Sequence, residues 1–121
     1  MSAPLWIAVA ALGSVGSIAR FLLDGAVSAR AGDAFPLGTL AVNASGAFVL
    51  GLLSGVALSG DALTLAGSAT IGSYTTFSTW MLETHRLGED GRLLVGALNV
   101  LVSVAVGIAA ALLGRTIGGA L

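Results

Sequence analysis

The chain has no cysteine and no lysine, one histidine, two prolines, and charged side chains at only 9% of its 121 positions. Without thiols there are no disulfides, thiolate metal sites or thiol redox chemistry. A single His85 makes no multi-histidine metal centre. No acid lies in the central part of any apolar run, so the Ser/Lys, Ser/His and paired-carboxylate sets of membrane-embedded catalysis are missing and no enzyme is expected. A net charge of -1 with no basic cluster sets nucleic acid aside as a partner.

What fills the chain instead is apolar: 56% hydrophobic residues and a mean hydropathy of +1.00, values that a soluble domain of this length does not sustain. An all-α integral membrane protein in the lipid bilayer is expected, a single domain over 1–121. Four apolar segments run from Ala3 to Leu23, Leu37 to Leu58, Ala62 to Leu82 and Leu93 to Leu113. Each is near the roughly 20 residues that cross a hydrocarbon core of about 30 Å. The connections hold most charges: Asp24, Arg30, Asp33 and Pro36 mark the first, Ser59-Gly60-Asp61 the second, and His85, Arg86, Glu89, Asp90, Gly91 and Arg92 the third. The first run lacks the basic flank and cleavage site of a signal peptide and is expected to be a retained helix. Chains with four short spans have little room for a pocket of their own, so any pore is expected between subunits.

The third segment is the exceptional one. Between Asp61 and Glu83 it carries Thr64, Ser68, Thr70, Ser73, Thr75, Thr76, Ser78 and Thr79, hydroxyls that lipid cannot solvate. They are expected to line a protein interior, either bonding back to carbonyls one turn earlier or accompanying a break near Gly72 and Thr75-Thr76. A break would free carbonyls, which suit a small hard cation such as Na⁺. Phe77 and Trp80, three apart, share a face; packing alone accounts for most such pairs.

The other segments carry stripes of small and polar residues. Gly13, Gly16 and Arg20 share one face of the first. Close packing at the glycines would draw Arg20 into protein, whereas a place near the helix end would let it snorkel to headgroups. Thr39, Asn43, Ala47, Gly51 and Gly55 recur at four-residue spacing in the second. Gly51 and Gly55 read as a packing face; Asn43 reads either as interhelical glue or as an amide donor facing an anion. Asn99, Ser103, Gly107 and Ala111 form a similar row in the fourth, whose end at Arg115, Gly118 and Gly119 reads as a frayed terminus.

Three of these stretches together resemble the Fluc (CrcB) fluoride channel family. GSVGSIAR at 13–20 looks like its GGxxGAxxR, GTLAVNASG at 38–46 is similar to its GTLxVNxxG, and Gly72 to Glu83 resembles its GxxTTFSTF followed by a glutamate. The resemblance covers all four segments. It implies a passive, fluoride-selective channel in the plasma membrane of a prokaryote, exporting cytoplasmic fluoride. It also implies an antiparallel, dual-topology dimer of four-helix subunits with a pathway at the subunit interface and a structural Na⁺ near the two-fold axis. By that resemblance the carbonyls of Gly72 and Thr75 hold Na⁺ and Asn43 donates to fluoride. Arg20 sits in an aqueous vestibule, Phe77 and Trp80 form the aromatic box, and Thr39, Thr79 and Ser103 belong to the anion pathway.

Trp80 departs from the pattern, which has phenylalanine there, and its bulk and indole N–H are expected to narrow or rewire that part of the path. Arg30, Arg86 and Arg92 lie on one side of the expected topology against Arg115 on the other, a bias toward termini outside. A homodimer and a heterodimer with an oppositely oriented homologue both stand, the second making this chain a non-conducting or half-conducting partner. A small multidrug-type exporter would require a carboxylate within the first span, and none precedes Asp24.

Overall fold

The computed structural model describes residues 1–121 and contains helices and short connections, with no strand. Helix α1 spans Ala3–Ala31, α2 Leu37–Gly55 and α6 Leu93–Ala120. These three are long and apolar enough to cross a membrane. The hydroxyl-rich third segment is divided into α3 (Gly60–Leu63), a π-helical stretch (Thr64–Ile71), α4 (Gly72–Tyr74) and, after an interruption, α5 (Ser78–Glu89).

The ends of the elements have local causes. Ser2 caps α1 by accepting from the Leu5 N–H at 3.4 Å, with Pro4 in the first turn, where its missing donor is harmless. α2 stops at Gly55 in a Schellman turn: the Leu58 N–H reaches the Leu53 carbonyl at 3.1 Å and the Ala57 N–H reaches Ser54 at 3.0 Å. Ala57 takes a positive φ of 57° to do so, in a place usually held by glycine. α5 ends in the same way, with Gly91 (φ 76°) in the left-handed place and the Arg92 N–H on the Leu87 carbonyl at 2.8 Å.

Several helices outrun the apolar runs that foretold them. Asp24 and Arg30, expected in the first connection, lie inside α1, whose 29 residues reach about 44 Å at 1.5 Å each. His85, Arg86 and Glu89, expected in the third, lie inside α5, leaving a connection of Asp90, Gly91 and Arg92. Composition marks where hydrocarbon ends, while backbone hydrogen bonding carries the helix onward. The C-terminal reading is corrected too. Helix α6 continues to Ala120, and Gly114 and Gly118 are buried against α2 where fraying was expected.

That contact is a glycine zipper. A methyl group on Gly51 would overlap the Ala111 carbonyl oxygen, and one on Gly55 that of Arg115. From the other side, Gly114 meets the Phe48 carbonyl and Gly118 that of Leu52. The two helices therefore touch backbone to backbone, which is how helices associate where lipid is as apolar as any side chain. The Gly51/Gly55 face is thus seated as its spacing predicts. On α6 the seat is Ala111, Gly114 and Gly118, because Gly107 of the expected row has open space beside it. Gly16 makes the corresponding approach of α1 to the π-helical stretch, against the Thr70 carbonyl.

Few apolar side chains are buried within the chain: Val42, Ala69 and Leu87 alone, while Phe21, Leu93, Leu94 and Leu101 are exposed. Such a surface faces lipid or another chain. In an unfolding titration in mixed micelles, Gly51→Ala is expected to cost about 1–3 kcal/mol by overpacking the zipper. Gly107→Ala, with nothing within 4 Å of the added methyl, is expected to be neutral or stabilising by up to about 1 kcal/mol.

Candidate functional site

The site is built on the interruption between α4 and α5. The Thr75 N–H still bonds the Ile71 carbonyl at 3.0 Å, but Thr75 then turns extended, with ψ 162°. The next peptide leaves the helix for α2: the Thr76 N–H donates to Asn43 Oδ1 at 2.8 Å, and Asn43 Nδ2 donates to the Thr76 carbonyl at 2.8 Å. One asparagine thus takes the orphaned N–H and carbonyl of a single residue, which belong to successive peptides, in a bidentate clasp. The hydroxyl of Thr76 then accepts from the Thr79 N–H at 3.2 Å, capping the new helix. Glycine at 46 makes room, since a methyl there would overlap the Thr75 side chain.

The clasp has an electrostatic by-product. The N–H that would have closed on the Gly72 carbonyl is given to Asn43, and the one that would have closed on Thr75 is given to the Thr76 hydroxyl. The Gly72 and Thr75 carbonyls are therefore left without the donors of the following turn. Neutral carbonyl oxygens of this kind are the donor type that hard cations take.

Beyond the break, Phe77 projects with 70% of its surface exposed, and its ring meets that of Trp80 edge to face, centroids 5.7 Å apart and planes at 85°. Trp80 is held from behind: its indole Nε1–H donates to the Asn99 carbonyl on α6 at 3.2 Å. The indole N–H is thereby committed to protein rather than left pointing into space.

The remaining expected residues are distributed around this centre. Thr39, one turn before Asn43 on α2, is 2% exposed, its hydroxyl facing the Glu83 carboxyl without closing a well-formed hydrogen bond. Ser103, one turn beyond Asn99 on α6, also has a buried hydroxyl without a partner, as do Glu83 through Oε1 and Arg20 through Nε. Buried polar atoms in native proteins are ordinarily paired, so unpaired ones mark places where water, an ion or another chain is needed. Thr79 stands at the capped start of α5, its own N–H used in the cap. Arg20 stands apart, on α1. A polar hollow of about 210 Å³ at the end formed by both connections is lined instead by Ser28, Asp33, Glu83, Arg86, Asp90 and Arg92. Arg92 braces it by donating from Nη2 to the Ala34 carbonyl.

Residues 7–115 match the family described as CrcB-like protein, Camphor Resistance (CrcB). The chain belongs to the CrcB family. Its relatives include a protein of Mycolicibacterium paratuberculosis named fluoride-specific ion channel FluC 2, 58% identical over 111 residues, covering 92% of this chain and 91% of the relative. A Mycobacterium bovis protein of the same name is 52% identical over 117 residues, covering 97% and 93%. The fluoride-specific ion channel FluC of Geobacter sulfurreducens is 50% identical over 105 residues, covering 83% and 85%.

Two residues of this arrangement are not marked by the sequence pattern. Thr76 is expected beside a helix break, but the spacing does not mark it as the residue whose N–H and carbonyl Asn43 clasps. Thr84 was not singled out, although it lies one turn after Trp80 and bonds the Trp80 carbonyl at 2.9 Å. For Thr76 the signal was a TT pair after a glycine; for Thr84 there was none apart from helical spacing. Asn43→Leu is expected to leave the Thr76 N–H and carbonyl unpaired and cost about 2–4 kcal/mol. Hydrogen exchange at the Thr76 amide should accelerate correspondingly; unchanged exchange would show that the clasp does not hold this peptide.

Proposed function

We propose that this CrcB chain is a passive ion channel selective for fluoride, and not an enzyme, which lets fluoride leave the cytoplasm across a prokaryotic plasma membrane. The observation that carries the reading is the edge-to-face Phe77–Trp80 pair beside a helix break clasped by Asn43. Fluoride is small and strongly hydrated, so a selective path must replace water by compact donors and by the electropositive edges of rings. The break supplies both from adjacent positions. Asn43 spends one Nδ2 hydrogen on Thr76 and keeps a second for the anion. Thr39, Thr79 and Ser103 carry hydroxyls toward and away from it, and Arg20 attracts anions at the mouth. Transport is driven by the gradient and by the membrane potential, about 2.3 kcal/mol per elementary charge per 100 mV.

The active unit in this proposal is an antiparallel dimer of four-pass subunits, the third pass being the interrupted segment. Two features support it: a highly exposed Phe77 beside the break, and pathway hydroxyls that find no partner within one chain. The Gly72 and Thr75 carbonyls fit a structural Na⁺, being freed of their helical donors and free of competing charge. Bound there, the ion would neutralise their dipoles and tie the break of one subunit to its mate.

Efflux from liposomes containing the purified chain tests this, with fluoride and chloride loaded in turn. Rapid fluoride loss with chloride retained is expected, with slower fluoride loss after prolonged exchange of Na⁺ for a large organic cation. Folded protein silent to both anions would overturn a self-sufficient channel and turn attention to an oppositely oriented partner chain.

A further inference from the structure

We infer that Asn99 and Thr84 are positioning residues that lock the Trp80 ring, so that the tryptophan in this chain is a rigid wall of the path; this rests on the channel reading above. Trp80, Thr84 and Asn99 close a hydrogen-bonded circuit between α5 and α6. The Trp80 indole N–H donates to the Asn99 backbone carbonyl at 3.2 Å. The Asn99 side-chain Nδ2 donates to Thr84 Oγ1 at 2.9 Å, and Thr84 Oγ1 donates to the Trp80 backbone carbonyl at 2.9 Å. Both ends of Trp80, the ring and the backbone, are therefore referred to the same residue on the neighbouring helix. The Thr84 hydroxyl accepts one bond and donates the next, so the chain is polarised in one direction and each bond strengthens the other.

Burial makes the circuit compulsory. Asn99 is 1% exposed in the interior of an apolar helix, where an unpaired amide is costly. Glycine at 96, one turn earlier, lets α5 come close: a methyl there would meet the Thr84 carbonyl at 3.2 Å and Leu87 Cβ at 3.6 Å. The consequence is directional. A phenylalanine at 80 would have no N–H and would be held by packing alone, whereas the indole is held at its far end. Its plane is thereby set at 85° to Phe77, which fixes the ring edge presented to an ion. Asn99 and Thr84 touch no ion in this scheme and act through Trp80.

The test uses the full chain in liposomes, with Trp6→Phe as background so that Trp80 is the only tryptophan. Asn99→Leu keeps the backbone carbonyl that holds the indole and removes only the Nδ2–Thr84 bond, whereas Thr84→Val removes both Thr84 bonds. By loosening the register of α5 on α6, each is expected to lower the near-ultraviolet circular dichroism and steady-state anisotropy of Trp80. Each is also expected to slow fluoride efflux by about threefold or more, the scale of one interhelical hydrogen bond in a membrane. Thr84→Ser, which keeps the hydroxyl, should restore both signals, and it carries the test with Thr84→Val if Asn99→Leu does not fold. With Trp80→Phe added, the same substitutions should change efflux less than twofold. Equal slowing with and without the indole would overturn the inference by making the two residues merely structural, as would an unchanged Trp80 signature. A parent protein that passes no fluoride would sink the channel reading alone, because the optical signature still decides whether the circuit holds the ring.

Discussion

Everything distinctive about this molecule depends on two hydrogen bonds between Asn43 and the backbone N–H and carbonyl of Thr76, residues 33 positions apart in the chain. Backbone at membrane depth cannot turn to lipid for hydrogen bonds, so a helix among such spans can be broken only where protein or a water-lined cavity replaces the lost bonds. An asparagine amide is the smallest side chain that offers a donor and an acceptor in the geometry of a peptide. The exposed Phe77, the capped start of α5 and the freed carbonyls of Gly72 and Thr75 all follow from that substitution of a side chain for a helical turn.

The clasp needs α2 held at a defined height, and the glycine contacts do this. One face of α2 carries Thr39 and Asn43 toward the broken segment, while Gly51 and Gly55 seat it on the backbone of α6. Because backbone meets backbone, a sliding motion of α2 along α6 would drive glycines into carbonyl oxygens. Gly16 fixes α1 against the π-helical stretch in the same way. That stretch has its own hydroxyl brace, Thr70 Oγ1 donating to the Leu65 carbonyl five residues back at 2.7 Å, in place of the four-residue spacing of an α-helix.

The two aromatic residues illustrate how a departure from a family pattern can be absorbed. Tryptophan brings an indole N–H that would be a liability in an apolar wall, and here a carbonyl of α6 accepts it. Asn99 then has its own amide to satisfy, and Thr84 completes the circuit. Polar satisfaction within the membrane has the side effect of stiffening the place where the ring meets Phe77.

Composition alone was sufficient to make this a membrane protein of apolar helices, because a bilayer leaves few choices to a chain so hydrophobic. Spacing was sufficient to show the small-residue faces and to mark Gly72 to Trp80 as the place where a helix would be interrupted, since hydroxyls in such density have no use for lipid. Three-dimensional structure decided the rest. Periodicity within a segment cannot say which backbone groups a distant amide will clasp, so the pairing of Asn43 with Thr76 is visible only in three dimensions. Nor can it tell a glycine that touches a backbone from one that faces open space, which is why Gly118 looked frayed and Gly107 looked packed. The register between helices is a property of two surfaces at once, and a single strip of sequence describes only one of them.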